Sequence, residues 1–238
     1  MLNVVDSRGD AGGMAGEDGR MLLASGSGAA ARWVVTDRNG GESAGPYDSL
    51  NLGDHVGDDP DRVAANRARV AAEIGLAPGD LRFMNQVHGA QVAQVGRETD
   101  EIPAADGLVT AERGIALAVL VADCVPVLLA ARRSDVIAVA HAGRRGVAAG
   151  VVAATVGAMQ ELGARPSRIV AKVGPAICGR CYEVPLAMQE EICSAVPEAR
   201  STTAAGTPDR LFCGSGVGHA GSQTSAPKRP LTPSRRWE

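Results

Sequence analysis

The sequence predicts an α+β fold in which mixed β-sheets form the centre and helices flank them. Three observations lead to this fold class: apolar runs of strand length in mid-chain, one strongly patterned helix before them, and an irregular order of strand and helix signals. The 238 residues suffice for one large domain. Hydrophobic residues make up 45% of the chain but aromatic residues only 3%, so small aliphatic side chains must pack the core.

The first thirty residues carry little structural signal. Residues 1–30 are rich in Gly, Ala and Ser and have no sustained period, which predicts a flexible segment with a short strand near 21–23. Patterned sequence begins at residues 32–36 (RWVVT). We therefore expect the folded domain to begin near residue 31.

Residues 58–75 give the clearest helix pattern in the chain. Asp58 or Asp59 is expected to cap its N-terminus, because a short acceptor side chain satisfies the first free backbone N–H groups. Pro60 suits the first turn, where its missing N–H costs nothing. Gly75 is expected to end the helix.

The middle of the chain predicts strands. Residues 81–87 and 91–95 alternate loosely around His88, which predicts a hairpin or a strand pair with His88 at its turn. Continuous apolar runs without alternation are typical of strands buried on both faces. Three such runs follow, at residues 115–121, 125–130 and 136–140.

The later part of the chain alternates helix and strand. Residues 147–162 predict a helix closed by Gly163, residues 168–173 a strand, and residues 185–195 a further helix. The last segment, 201–238, is rich in Pro, Ser, Gly and Thr and has no period. It is expected to be a poorly ordered tail, which leaves residues 31–200 as a single domain.

Composition excludes several classes of function. A net charge of −3 and six aromatic residues argue against a nucleic-acid-binding module. Four histidines exclude a metal site built from many imidazoles. Five cysteines with no secretory signal indicate a cytoplasmic setting, and no uninterrupted apolar run reaches the roughly 20 residues that span a bilayer. We expect a monomer without nucleic-acid or membrane partners.

Three residues with metal-binding or nucleophilic side chains stand at the edges of predicted strands: His88, Cys124 and His141. Two imidazoles and one thiolate form a three-ligand zinc site with an open fourth position, as catalytic zinc favours. The same residues also suit a Cys/His nucleophile pair. Their spacing matches no short zinc signature, so two ordinary histidines and a core cysteine remain an equal alternative at this point.

Six motifs, in order and spacing, resemble the YfiH-like laccase-domain family over about residues 32–200. They are TDRNGGESAGPYDSLNLGDHVGDDP (36–60), NQVHG (85–89), ADGLVT (105–110), ADCVPVLL (122–129), AHAGRRG (140–146) and GPAICGRCYEV (174–184). Members of that family were named for polyphenol oxidase activity and are understood as purine nucleoside phosphorylases that also deaminate adenosine. Their fold resembles that of the cytotoxic necrotizing factor deamidases.

The resemblance implies a metal-dependent enzyme that acts with phosphate on adenosine, inosine, guanosine or methylthioadenosine. It implies that His88, Cys124 and His141 form the metal and catalytic cluster, with zinc, or alternatively copper, as the metal. It further implies a set of residues that line the substrate pocket or orient the ligands: Arg38, Asn51, Gln86, Asp123 and Arg145.

The chain departs from the family pattern at two places. Arg144 stands where the family usually has Trp, and no family motif matches beyond residue 201. Three alternatives stay open: a metal-free Cys/His hydrolase or deamidase, a copper polyphenol oxidase, and an inactive nucleoside-binding protein. The four histidines argue against a multicopper oxidase. Cys178 and Cys181 have CxxC spacing, but no second CxxC completes a structural zinc site.

Overall fold

Two five-stranded mixed β-sheets form the centre of the protein. The computed structural model describes residues 1–6, 22–28, 31–179, 181–201 and 210–211. The strands are β1 (Leu2–Asp6), β2 (Leu22–Gly28), β3 (Ala31–Thr36), β4 (Leu81–Arg82), β5 (Val92–Gln94), β6 (Gly107–Thr110), β7 (Ala116–Leu120), β8 (Val125–Ala131), β9 (Ile137–Ala142), β10 (Ile169–Val173), β11 (Arg200–Ser201) and β12 (Arg210–Leu211). The α-helices are α1 (Pro60–Glu73), α2 (Arg144–Ala148), α3 (Val151–Glu161) and α4 (Leu186–Ala195).

The two sheets have the same arrangement of strand directions. The first has the order β2-β3-β1-β7-β4 and the second β10-β8-β9-β6-β5. Each sheet is antiparallel except at one edge, where β4 pairs parallel with β7 and β5 pairs parallel with β6. Strands β11 and β12 form a separate pair. The predicted α+β class with mixed sheets and flanking helices is confirmed.

Strand alternation sorts large and small side chains into different layers. Leu117 of β7 and Val139 of β9 point into the core between the sheets. Ala118 points from β7 toward α1, and Ala138 points from β9 toward α3. Because alanine is small, each helix approaches its sheet closely, so the low aromatic content is compatible with a packed core.

Helix α1 has the predicted boundaries and capping. The Asp59 side chain accepts a hydrogen bond from the backbone N–H of Asp61 at 3.0 Å, with Pro60 in the first turn. Gly75 follows the helix in the left-handed region, with φ of 71°.

Every helix among the described residues is too short or too polar to span a bilayer.

The flexible N-terminal segment predicted for residues 1–30 is wrong for Leu2–Asp6. This strand lies in the middle of the first sheet, between β3 and β7, and all five of its residues are buried. Burial on both faces removes the alternation by which a strand is recognised, and the segment is too short to stand out as an apolar run. Strand β2 begins at Leu22, within the strand predicted near 21–23.

Other parts of the predicted N-terminal segment and of the predicted C-terminal tail lie outside the described residues. These are residues 7–21 and 29–30 of the N-terminal segment, and residues 202–209 and 212–238 of the predicted tail.

The hairpin or strand pair predicted around His88 is also wrong. Strand β4 belongs to the first sheet and β5 to the second, so the chain crosses between sheets where a hairpin turn was expected. Strand β6 was not predicted, because its four residues sit in a short motif with polar ends.

The helix predicted for residues 147–162 is instead two helices. Helix α2 starts at Arg144, three residues earlier than predicted, and ends at Ala148. Helix α3 follows after Gly150, which adopts a left-handed conformation with φ of 82°. That conformation is incompatible with one continuous right-handed helix.

Two glycines allow the break between α2 and α3 to be tested with one type of substitution. Gly150→Ala should lower the free energy of unfolding by about 1–2 kcal/mol, because an L-residue is strained at positive φ. Gly157 lies inside α3, with open space around a new Cβ atom. Gly157→Ala should therefore raise the free energy of unfolding by about 0.5–1 kcal/mol. Urea unfolding of both variants measures the two effects. Shifts of the same sign would contradict the break.

Candidate functional site

His88, Cys124 and His141 lie together, although they come from three separate segments. Their potential ligand atoms all lie within 4.8 Å of one another. The two imidazole rings meet nearly at right angles, with ring centroids 4.8 Å apart and an interplanar angle of 82°. We call these three residues the His-Cys-His cluster.

Strand pairing positions two of the three side chains. His141 lies inside β9 opposite Pro126 of β8, and not beyond the end of the strand as predicted. The period of two places His141 on the same face as Ile137 and Val139, which face the core between the sheets. Cys124 immediately precedes β8 and packs against the same core, so the two side chains converge.

A buried carboxylate that the sequence analysis missed holds the cluster together. Asp106 is fully buried, and its Oδ1 lies 2.8 Å from Nδ1 of His141. The same carboxylate accepts the backbone N–H groups of His88, at 2.9 Å, and Gly89, at 2.6 Å. Asp106 lies in the ADGLVT motif, but its spacing from the ligands gave no indication of contact.

The contact with Asp106 defines the protonation state of His141. An ionised carboxylate only accepts hydrogen bonds, so Nδ1 carries the proton and Nε2 offers its lone pair. Burial lowers the pKa of His141 and outweighs the opposing effect of the hydrogen bond to Asp106. A neutral imidazole with a fixed tautomer is the form that binds a metal ion.

His88 is held in a backbone conformation that few residues adopt. Its φ of 60° lies in the left-handed region, which is costly for a residue with a Cβ atom. The two hydrogen bonds from the peptide groups of His88 and Gly89 to Asp106 stabilise this turn. The turn presents the His88 side chain on the exposed side of the cluster.

The donor set and the space around it suit a metal ion. Two imidazole nitrogens and a thiolate are ligands that zinc and copper both accept. Gly143 provides room beside them: a Cβ atom there would lie 3.1 Å from Cδ2 of His88, 3.2 Å from Sγ of Cys124 and 3.3 Å from Cε1 of His141. Any other residue at 143 would crowd all three side chains.

The His-Cys-His cluster opens into a cavity of about 810 Å³, within the range of small-molecule sites. Apolar residues supply much of its wall, including Leu50, Leu52, Phe83, Met84 and Val121. A flat aromatic ligand fits such a wall, because apolar walls bind ring faces while a few polar groups fix orientation.

Arg67 is the one arginine or lysine among the described residues that line this cavity. Its guanidinium carbon lies 4.1 Å from the centroid of the Phe83 ring. Nε donates to the carbonyl of Leu52 at 2.9 Å, and Nη2 lies 3.2 Å from the Asp54 carboxylate. Only 18% of the side chain is exposed. Arg67 was not predicted from the sequence, because a charged residue on an amphipathic helix is normally expected on its solvent-exposed face.

Three of the predicted substrate residues line the cavity: Asn51, Gln86 and Asp123. Two of them also bind the surrounding chain. The Asn51 amide donates to Asp58, and the Gln86 amide exchanges two hydrogen bonds with the backbone of Leu120, at the end of β7. Asp123 is exposed beside Cys124.

The two other predicted substrate residues, Arg38 and Arg145, do not line the cavity. Arg38 is exposed and donates from Nε and Nη2 to the carbonyl of Asp48, which closes its own loop. Arg145 is exposed on α2. Arg144, which replaces the family Trp, also lies outside the cavity lining, and its Nε is buried without a hydrogen-bond partner among the described residues.

Comparison with known proteins gives the family. A family model described as multi-copper polyphenol oxidoreductase laccase matches residues 32–213. The chain belongs to this family. The resemblance inferred from the six motifs is thereby confirmed.

Other proteins similar to this laccase-family chain carry a different name. A purine nucleoside phosphorylase of Streptomyces griseus is 58% identical over 182 residues, covering 75% of this chain and 74% of that protein. A purine nucleoside phosphorylase of Mycobacterium bovis is 54% identical over 178 residues, covering 74% and 71% respectively. These names support an enzymatic function.

Solved structures agree with the fold. A crystal structure of a Neisseria meningitidis protein matches with a TM-score of 0.67 and 38% identity, covering 75% of this chain and 72% of that one. The crystal structure of YlmD from Geobacillus stearothermophilus matches with a TM-score of 0.67 and 33% identity, covering 75% and 71%.

The role of Asp106 can be tested by removing its charge. With Zn²⁺ as the probe ion, Asp106→Asn should weaken metal binding by about 10- to 100-fold, because the amide no longer fixes the His141 tautomer as a carboxylate does. Titration of the folded protein against a competing chelator measures this affinity. Asp135→Asn removes a surface carboxylate that pairs with Arg113 and serves as the control. Equal affinities in the two variants would contradict the role of Asp106.

Proposed function

We propose that the protein is a metal-dependent purine nucleoside phosphorylase. The observation that carries this proposal is the His-Cys-His cluster at the wall of a cavity large enough for a nucleoside. The names of the similar Streptomyces and Mycobacterium proteins support the reaction. Adenosine, inosine, guanosine and methylthioadenosine are the proposed substrates, since all present a purine to the apolar wall.

Zinc is the metal proposed for the cluster, with copper as the alternative. His88, Cys124 and His141, which line the cavity, would hold it. A bound zinc ion supplies positive charge, which stabilises negative charge as it develops on a substrate. Asp106 keeps Nε2 of His141 available as a ligand.

Phosphorolysis also requires a group that binds phosphate. A phosphate oxygen attacks the anomeric carbon of the ribose while the bond to the purine nitrogen breaks, and the base leaves with the bonding electrons. We assign the phosphate to Arg67 and not to Arg38 or Arg145, because Arg67 lines the cavity. Its stacking on Phe83 and its bond to Leu52 fix the guanidinium in advance, which lowers the entropic cost of binding.

Deamination of adenosine is a second reaction proposed for the same site. The supporting observation is the three-ligand cluster with one face toward the cavity, an arrangement typical of catalytic zinc. In this reaction water replaces phosphate as the attacking molecule: its oxygen bonds to the purine carbon that carries the amino group, the bond from that carbon to the amino nitrogen breaks, and ammonia leaves. Phosphorolysis and deamination therefore require the same nucleoside-binding cavity.

The reaction itself provides the main test. The zinc-loaded protein incubated with inosine and phosphate should yield hypoxanthine and ribose 1-phosphate, and with adenosine it should yield adenine or inosine. Cys124→Ala should abolish these products. Chromatography of the products measures both reactions. Unchanged turnover under strong chelation would favour a metal-free Cys/His hydrolase, and the absence of every product would overturn the proposal.

The phosphate role of Arg67 predicts a selective defect. Arg67→Gln should raise KM for phosphate by about 10-fold or more, since a charge-assisted hydrogen bond contributes roughly 1.5–3 kcal/mol. Arg69→Gln is the matched control, because Arg69 lies on the same helix but is exposed and outside the cavity lining. Initial rates at varied phosphate with saturating inosine, and at varied inosine with saturating phosphate, measure the two KM values. A rise in KM for inosine alone would assign Arg67 to the nucleoside instead.

A further inference from the structure

Two cysteines outside the His-Cys-His cluster lie close enough to react with each other. Cys178 and Cys181 lie between β10 and α4, and the Cys178 thiol donates a hydrogen bond to Sγ of Cys181 at 3.0 Å. Both residues are exposed. They differ in this from Cys193, which is buried in α4.

Backbone hydrogen bonds hold the two thiols near each other. The N–H groups of Cys181 and Tyr182 both donate to the carbonyl of Cys178, at 2.9 and 3.1 Å. The short separation of the sulfurs is therefore set by a closed turn. Two thiolates alone do not complete a structural zinc site, and among the described residues the His-Cys-His cluster is the one group with three converging metal ligands.

This turn is directly connected to the cavity. The N–H of Ile177 donates to the carbonyl of Asp123 at 3.0 Å. Asp123 lines the cavity and immediately precedes Cys124 of the cluster. This one hydrogen bond joins the turn to the segment that carries Cys124.

We propose that Cys178 and Cys181 form a reversible dithiol–disulfide couple whose redox state alters the surroundings of Cys124. The oxidant is a low-molecular-weight disulfide. One cysteine thiolate attacks a sulfur of this disulfide and releases one thiol; the second cysteine thiolate then attacks the mixed disulfide and releases the other. Two protein thiols are oxidised, and the small disulfide is reduced to two thiols.

Oxidation brings the two sulfurs closer together. A disulfide bond is about 2.05 Å long, so the sulfurs must approach by about 1 Å from their present separation. Ile177, whose N–H donates to the carbonyl of Asp123, is adjacent to Cys178. The inference does not depend on the proposed nucleoside chemistry.

Peptide mapping tests the couple on the full chain. The protein is equilibrated with mixtures of oxidised and reduced glutathione, free thiols are blocked, and the protein is digested with trypsin. Because trypsin cleaves after Arg180, the disulfide links peptide 173–180 to peptide 181–200. This linked pair is expected in wild type, and it should disappear on reduction.

Variants identify the partner cysteine, since peptide 181–200 also contains Cys193. The linked pair should persist in Cys193→Ala and be absent from Cys178→Ser and Cys181→Ser. Only mixed disulfides with glutathione, or a link that requires Cys193, would overturn the proposal.

The effect on Cys124 has its own measurement. In chelator-treated protein, oxidation should change the rate of Cys124 alkylation by iodoacetamide about two-fold or more, because thiol reactivity follows its local environment. The same oxidising treatment should leave this rate unchanged in Cys178→Ser. Equal rates in oxidised and reduced wild type would overturn the link to Cys124.

Discussion

The geometry of the candidate site depends on the buried carboxylate of Asp106. This one group binds the ring of His141 and the backbone of the turn that carries His88. A carboxylate without solvent is stable only when its oxygens are hydrogen-bonded, so the protein must supply donors there. The hydrogen bonds that stabilise the buried Asp106 carboxylate also fix the tautomer of His141 and the left-handed turn at His88.

The sheet topology explains why this site forms where it does. His88 lies on the connection from β4 in the first sheet to β5 in the second, and Cys124 lies on the connection from β7 to β8, which also passes from one sheet to the other. His141 belongs to β9, next to β8. The cluster therefore collects side chains where the chain crosses between sheets, and the rigid strands on both sides hold these crossings in place.

The family description and the names of the similar proteins point to different chemistry. A multicopper oxidase needs separate copper centres with many imidazole ligands. This chain has four histidines, and the structure brings two of them, with one cysteine, into the cluster. Such a donor set suits one metal ion beside a cavity of small-molecule size.

Local patterns in the sequence determined the α+β class, the central strands β7, β8 and β9, and helix α1 with its Asp59 cap, because apolar runs and capping residues act over a few neighbours. The family motifs indicated the His-Cys-His cluster. Only the tertiary structure decided that β1 lies inside a sheet, that β4 and β5 belong to different sheets, and that Asp106 joins two ligands. It also decided that Arg67, and not Arg38 or Arg145, faces the cavity. These features depend on contacts between residues that are distant in sequence. Local hydrophobic periodicity does not indicate which distant part of the chain a strand or a charged side chain will contact.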